Sequence, residues 1–271
     1  MAEPKIFIGC VTFERDEQYW PLFLERLRDQ AFQDWTLHII DTTRATKPDA
    51  VSFVPRLREM AAAALPGRTV SVDEYAPEPT NEWKWYILGC ARDRLRKEFL
   101  MSDATHYFSL DTDLLLSPEA LAHLLSDNLP LVSGVFLNVL TFKETSRGHP
   151  VTRICPVAWI PDAERPGELV RGLQIIDVMP PRLIPLSHGS IGCALFQRSL
   201  LERFDFIIDD TERPNHWSED IYLFRNKLAP AGIIGYLDTR VKCAHLKYPL
   251  GDPRNAHLDF AHYRVSVRPK T

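Results

Sequence analysis

The chain has 271 residues, of which 45% are apolar and 25% are charged, and its formal net charge is −4. This composition is typical of a globular protein with a sizeable core, and it excludes a strongly basic protein that coats nucleic acid. No apolar run approaches the length needed to span a bilayer and the N-terminus shows no secretory signal, so we expect no transmembrane segment and a cytoplasmic location.

The first half of the chain alternates predicted strands with predicted helices. Short apolar runs indicate strands, and apolar residues at helical spacing indicate helices. The predicted strands are 6–12, 35–40, 69–72, 107–110 and 130–135, and the predicted helices are 19–30, 54–64, 82–100 and 118–125. This alternation predicts an α/β fold with a mainly parallel central sheet flanked by helices.

The second half changes character after residue 138. Residues 141–187 hold many prolines and arginines with short strand-like pieces such as 174–178, which predicts a β-rich insertion on the same sheet. Further strands are predicted at 189–196, 233–237 and 241–245, and further helices at 199–204 and 219–228. We therefore predict a single domain over 1–250, followed by a polar, irregular C-terminal tail over 251–271.

Two acids separated by one residue follow the strand 107–110, at Asp111 and Asp113. Side chains alternate faces in extended chain, so both carboxylates are expected on one side. Two such carboxylates repel each other unless a cation lies between them, and oxygen ligands suit Mg²⁺ or Mn²⁺. The carboxyl end of a strand in an α/β sheet is also where such folds bind ligands. The alternative interpretation is turn and helix-cap chemistry.

Acids and a histidine occur at two later positions. Trp217, Ser218, Glu219 and Asp220 open a predicted helix, where Ser218 can cap and acids are favoured by the helix dipole. A carboxylate there is also suited to act as a general base. His245 ends a predicted strand, where a neutral imidazole can complete a carboxylate-rich metal site or serve a purely structural role.

These positions belong to a longer ordered pattern. In chain order, segments of the sequence resemble the P-T-Y-N-R, Q-T-Y-x-x-x-E-I-I-I-V-D, A-R-N, L-D-x-D, G-x-x-L-x-x-R and E-D motifs of glycosyltransferase family 2, at 11–15, 30–41, 91–93, 110–113, 192–198 and 218–225. The resemblance covers nearly the whole chain and implies the GT-A fold of nucleotide-sugar-dependent glycosyltransferases. It also implies a nucleotide-sugar-binding half, 1–138, and an acceptor-binding half, 139–250.

The resemblance implies donor-binding roles for the matched residues of the first half. Thr12 and Asp41 would line the pocket for the nucleotide base, and Arg92 would lie near the nucleotide phosphates. Asp113 would bind a Mn²⁺ or Mg²⁺ ion directly, and Asp111 would contact the ribose or the metal. A uridine diphosphate sugar is the donor that the resemblance favours.

The resemblance also implies roles in the second half. His245 would be the third metal ligand. Asp220 would be the general base of a single displacement that inverts the anomeric centre, and Glu219 would orient Asp220 or the acceptor. Trp217, beside these acids, is the aromatic residue best placed by sequence to stack on a sugar or acceptor ring.

Other functions stay open at this level. Nucleotidyl transfer on a related sheet, a non-catalytic nucleotide-sugar-binding relative and a retaining transferase all fit parts of the pattern. The acceptor is open as well: a glycan, a lipid-linked glycan, a protein or a modified nucleic acid, bound by the insertion 141–187.

Overall fold

The computed structural model describes residues 3–75, 83–143, 150–163, 170–209 and 218–263. Within these ranges the strands, in chain order, are β1 (Ile6–Thr12), β2 (Trp35–Asp41), β3 (Val70–Glu74), β4 (His106–Leu110), β5 (Leu114–Leu115), β6 (Leu131–Lys143), β7 (Pro150–Pro156), β8 (Ala158–Pro161), β9 (Val170–Gly172), β10 (Leu183–Leu186), β11 (His188–Gly189), β12 (Cys193–Gln197) and β13 (Gly235–His245).

The helices of the same ranges are α1 (Trp20–Arg28), α2 (Thr43–Thr46), α3 (Val54–Ala64), α4 (Lys84–Met101), α5 (Ala120–Ser126), α6 (Ile175–Val178), α7 (Arg198–Leu201) and α8 (Glu219–Tyr222). A 3₁₀ turn, Glu14–Tyr19, precedes α1. A π-helical turn, Leu223–Leu228, continues α8.

The central sheet has the strand order β10-β13-β6-β12-β4-β1-β2-β3. Strands β3, β2, β1 and β4 are mutually parallel, and β13 is parallel to β6. Because β12 is antiparallel to both β4 and β6, strands β4 and β6 also run in the same direction. Six strands of this order therefore point one way. The expectation of an α/β fold with a mainly parallel central sheet flanked by helices is confirmed in this coarse form.

Apolar residues cover both faces of the sheet. Successive side chains of a strand point to opposite faces, so a strand that is buried throughout packs against both layers. In β1, Ile6, Ile8 and Cys10 join a buried cluster with α1, α3 and α5, whereas Phe7 and Val11 join a second cluster with α4 and α7. All residues of β1 are buried. Over the described residues, the sheet is therefore the middle layer of three.

The β-rich part of the second half is built on the long strand β6. Its outer end pairs with β7, while β8 lies between β9 and β11 in a separate three-stranded sheet. The prediction of a strand at 174–178 is wrong, because Ile175–Val178 is a helical turn. Gln174 and Asp177 form a reciprocal capping box there, which satisfies the first backbone donors of the turn.

Two further expectations differ from the structure. The predicted strands 233–237 and 241–245 are one strand, β13, with an irregularity in its pairing to β6 between Asp238 and Lys242. The predicted irregular tail begins with two 3₁₀ turns, Pro253–Leu258 and Phe260–His262, and buries Leu258 in the second cluster. Over the described part of the chain, no helix combines the length and the apolar character needed to cross a membrane.

His38 makes the stability of this sheet sensitive to acid. Its ring stacks on Phe7 with the centroids 3.7 Å apart, and burial lowers its pKa to about 4 despite the charge of Asp73. The unfolded chain therefore takes up the proton first, so stability present at neutral pH is lost as the pH falls from about 6.5 to about 4. We expect His38 to contribute about 2 kcal/mol of destabilisation between pH 7 and pH 4.5.

Urea unfolding at the two pH values measures this loss. His38→Phe keeps a ring against Phe7 but cannot titrate, so its stability should depend less steeply on pH than that of the wild type. An equal loss in the two proteins would show that His38 is not the cause.

Candidate functional site

The predicted site residues converge at the edge of the sheet where its parallel strands end. A cleft of about 810 Å³ opens there, and seven of the residues predicted from the sequence line it: Thr12, Arg92, Asp111, Asp113, Glu219, Asp220 and His245. The strand order reverses between β1 and β4, which is the position where open α/β sheets form a ligand crevice.

The strand register explains why residues distant in sequence meet in this cleft. Asp111 follows the end of β4, and its backbone N–H donates to Gly192 O at 2.7 Å, just before β12 begins. The short strand β5 pairs antiparallel with the end of β13, so that Leu114 lies opposite His245. This pairing places Asp113 beside His245, which lies 132 positions later in the sequence.

Arg92 of α4 ties two of the predicted acids together beneath the cleft. Its guanidinium donates from Nη2 to Asp111 Oδ1 at 2.6 Å, from Nε to Glu219 Oε1 at 3.3 Å, and from Nη1 to Ser109 Oγ. Burial opposes the charge of Arg92, which is 3% exposed, but Asp111 and Glu219 raise its pKa above the usual value. Arg92 is thus a fixed cation that pairs with both carboxylates.

Asp113 and His245 form a second pair in the cleft. His245 Nδ1 lies 2.8 Å from Leu137 O, and because a carbonyl only accepts, Nδ1 carries a proton. The Nε2 atom lies 3.2 Å from Asp113 Oδ2, also an acceptor, so either a proton or a cation must lie between them. Burial lowers the pKa of His245, but the hydrogen bond and charge of Asp113 outweigh it and raise the pKa above its ordinary value.

Glu219 and Asp220 open α8 in different surroundings. Glu219 is 4% exposed and its Oε2 has no hydrogen-bond partner among the described residues; burial raises its pKa to about 7, against the charge of Arg92. Asp220 is half-buried, and its Oδ1 accepts from the Ile221 N–H at 2.7 Å. The Ser218 hydroxyl donates to Asp220 rather than capping the helix, so the predicted cap is not formed. Burial also raises the pKa of Asp220.

Of the two residues predicted to line the pocket for the nucleotide base, the structure places Thr12 in the cleft and Asp41 in the core. Thr12 lines the cleft, where its hydroxyl accepts from Trp20 Nε1 at 3.3 Å. Asp41 does not line the cleft: its side chain is fully buried and accepts from the Thr43 N–H at 3.0 Å and the Thr43 hydroxyl at 2.6 Å. The next residue, Thr42, takes that place at the edge of β2. Trp217 lies outside the described residues.

One acid that the sequence reasoning missed also faces the cleft. Asp16 lies in the 3₁₀ turn after β1 and accepts from the Thr112 hydroxyl at 3.1 Å. Burial and the charge of Asp113 raise its pKa to about 6. The only sequence signal was three acids in four residues, at Glu14, Asp16 and Glu17, directly after a strand that ends at the predicted site.

The residues predicted as metal ligands do not form one compact set. Within the described ranges, no group of three or more His, Cys, Asp or Glu residues is arranged to hold a metal ion. Asp111 is instead bound by Arg92, which leaves Asp113 and His245 as the pair suited to a cation. The Nδ1–H bond from His245 to a backbone carbonyl is the outer-shell contact that metal-binding histidines make, and it leaves Nε2 to face Asp113.

Gly192 is required for this arrangement. A Cβ atom added there would lie 2.9 Å from Asp111 Cγ and closer still to its Oδ2, inside van der Waals contact. We expect Gly192→Ala to push Asp111 off Arg92 and to lower the free energy of unfolding by about 1–3 kcal/mol.

Gly172→Ala is the matched control for this substitution. A Cβ atom at Gly172 would make only ordinary contacts, 3.4 Å from Trp159 Nε1, so its effect should stay below about 0.5 kcal/mol. Urea unfolding compares the two variants, and equal stability losses would contradict the crowding at Asp111.

Comparisons with known proteins assign the chain to no family and give only distant structural likeness. No family model and no curated protein matches the chain. Among solved structures, the chain is similar to the crystal structure of A197 from STIV, with 9% sequence identity and a TM-score of 0.43, over 90% of this chain and 87% of that one. A likeness this distant carries no argument about the chemistry of the cleft.

Proposed function

We propose that the chain is a metal-dependent glycosyltransferase of the GT-A fold, which moves a sugar from a nucleoside diphosphate sugar to an acceptor hydroxyl. One observation carries this proposal: a single cleft holds the Asp113–His245 pair and the Glu219–Asp220 pair, and Arg92 bridges Asp111 to Glu219. A candidate site for a cation and a candidate general base therefore open onto the same space.

The donor end of the cleft lies at the carboxyl ends of β1 and β4. Thr12 and Thr42 line the wall on the β1 side, where the nucleoside would bind. Asp113 and His245 would hold a Mn²⁺ or Mg²⁺ ion through a carboxylate oxygen, the donor that both cations favour, together with the imidazole of His245. When bound, the ion would neutralise the diphosphate of the donor and the charge that develops on the departing nucleotide.

The acceptor end of the cleft contains the start of α8. Asp220 would take the proton of the acceptor hydroxyl as that oxygen attacks the anomeric carbon, and a single displacement inverts that centre. Burial raises its pKa, which brings its basicity closer to the range useful for proton transfer. Glu219, held by Arg92, would orient Asp220 or the acceptor. A uridine diphosphate sugar is the donor we favour.

Ligand-induced thermal stabilisation tests this proposal. A ligand that binds only the folded chain raises its unfolding temperature. A ligand concentration of about 100 times Kd raises the free energy of unfolding by about 2.7 kcal/mol. We expect a uridine diphosphate sugar with Mn²⁺ to raise the unfolding temperature by several degrees, and the same ligand with EDTA to do much less. Asp113→Asn should remove the difference between Mn²⁺ and EDTA.

Asp103→Asn provides the matched control. Asp103 is paired with Lys5 on the surface near the start of β4, the opposite end from Asp111, and its side chain is 78% exposed. This variant should respond to Mn²⁺ and donor like the wild type. The same metal-dependent stabilisation in Asp113→Asn would overturn the metal assignment.

A further inference from the structure

Two tryptophans line the described walls of the cleft, and their surroundings differ. Trp85, in the first turn of α4, has the Lys84 ammonium 4.1 Å above its ring centroid. Trp159, in β8, is stacked on His188 with ring centroids 4.7 Å apart and planes 13° from parallel. Trp159 is half-buried, so the part of its indole that His188 does not cover is presented to the cleft.

The backbone around Trp159 holds this indole in one orientation. Strand β8 is paired on both sides, so that Trp159 lies opposite His188 of β11 and Gly172 of β9. A Cβ atom at Gly172 would touch the indole at 3.4 Å from Nε1, so the glycine leaves that edge uncovered. Burial, with help from Arg225, lowers the pKa of His188 to about 4, so the ring behind the indole is neutral at physiological pH. Because the Trp159 side chain is already ordered, it loses little conformational entropy when a ligand binds to it.

This surface lies on the side of the cleft that holds the proposed base. Helix α8, which carries Glu219 and Asp220, packs against β11, the strand that follows β10 and pairs with β8. Ser190 and Asn138 also line the cleft and supply polar side chains to it.

We propose that Trp159 is the stacking platform for the acceptor and that the acceptor is a neutral saccharide; this inference rests on the proposed function. A pyranose ring presents a face of C–H groups that packs on an indole, while its hydroxyl groups hydrogen-bond at the rim. Sites of this kind combine an aromatic surface with a few polar groups that fix orientation, which is the combination found here.

The charges of the cleft favour a neutral acceptor over a polyanion. Among the described residues, five carboxylates line the cleft. Four lysines and arginines line it as well, and one of them, Arg92, is buried and already paired. A nucleic-acid groove instead presents an excess of basic side chains to the phosphates. The carboxylate set is Asp16, Asp111, Asp113, Glu219 and Asp220.

Saturation-transfer NMR with four neutral trisaccharides (maltotriose, cellotriose, mannotriose and chitotriose) tests the inference without requiring turnover. We expect at least one to bind the wild type, with the strongest transfer to its ring C–H protons. Trp159→Ala should weaken that binding about tenfold and Trp159→Phe about threefold. Trp85→Ala, the same change at the other indole, should alter it less than twofold.

Several outcomes would overturn the inference. They are the failure of all four trisaccharides to bind, equal binding by the wild type and Trp159→Ala, and Trp159-dependent binding of the oligonucleotide (dT)₁₀ in place of the sugars. Thermal unfolding checks that Trp159→Ala folds. If it does not, Trp159→Phe and transfer from the indole protons of the wild type to the saccharide decide the question.

Nucleotide-sugar binding with Mn²⁺ is measured on the same samples. Nucleotide-sugar binding without any trisaccharide binding would overturn the platform alone. Trisaccharide binding without nucleotide-sugar binding would instead count against the proposed function and leave the platform standing.

Discussion

Replacing Asp220 by asparagine is expected to lower the rate of sugar transfer by about 10²–10⁴-fold while the donor and metal still bind. The side chain keeps its size and an oxygen that can accept from the Ile221 N–H, but it can no longer take a proton from the acceptor. Donor affinity should stay within about threefold of the wild type, because Asp220 lies on the α8 side of the cleft. Steady-state kinetics with an active acceptor, and calorimetry with the donor alone, separate the two effects.

Two companion variants sharpen this test. Glu219→Gln removes the charge held by Arg92 and should lower transfer less than Asp220→Asn does. Asp103→Asn makes the same chemical change on the surface and should leave transfer unaltered. A fully active Asp220→Asn protein, or one in which donor binding is lost in parallel with transfer, would show that Asp220 is not the base.

Replacing Arg92 by methionine is expected to lower the free energy of unfolding by about 3–5 kcal/mol at neutral pH. The substitution keeps an unbranched side chain but leaves Glu219 buried without its cation and removes the bond to Asp111. Without the Arg92 charge the pKa of Glu219 should rise further above its present value of about 7. Part of the lost stability should therefore return as the pH falls and Glu219 takes up a proton.

Urea unfolding at pH 8 and pH 6 measures this effect. Adding Glu219→Gln to Arg92→Met removes the uncompensated charge, so the double variant should be more stable than Arg92→Met at pH 8. Arg56→Met breaks an exposed pair with Glu17 and should cost less than about 1 kcal/mol. If Arg92→Met also lowered the free energy of unfolding by less than about 1 kcal/mol, a buried bridge between Asp111 and Glu219 would be contradicted.

Much of the fold could be predicted from local patterns. The strand Ile6–Thr12 and the helix Val54–Ala64 match their predicted bounds because apolar periodicity and flanking Pro or Gly residues define them. The sequence predicts a strand at Ile175–Val178 because Ile and Val are strongly strand-forming. Local side-chain hydrogen bonds from Gln174 and Asp177 prevailed over that propensity.

The site was predictable only as a set of positions. The resemblance to glycosyltransferase family 2 implies that Asp113 and His245 share a metal site, and the two side chains do lie side by side. The bridge from Arg92 to Glu219 spans 127 positions and depends on how α4 and α8 pack, which no local pattern encodes. The same holds for Asp41, whose side chain turns inward to Thr43, and for Trp159, whose role depends on His188 behind it.

The phosphate species released from activated sugars tests the central claim most directly. The wild-type chain would be incubated with Mn²⁺, the trisaccharides and a panel of nucleoside diphosphate sugars, and separately with nucleoside triphosphates and sugar phosphates. We expect release of a nucleoside diphosphate, with one trisaccharide lengthened by one sugar, and loss of both on Asp113→Asn. Release of pyrophosphate from a nucleoside triphosphate, or no reaction and no binding with any nucleotide sugar, would contradict the assignment of this cleft to sugar transfer.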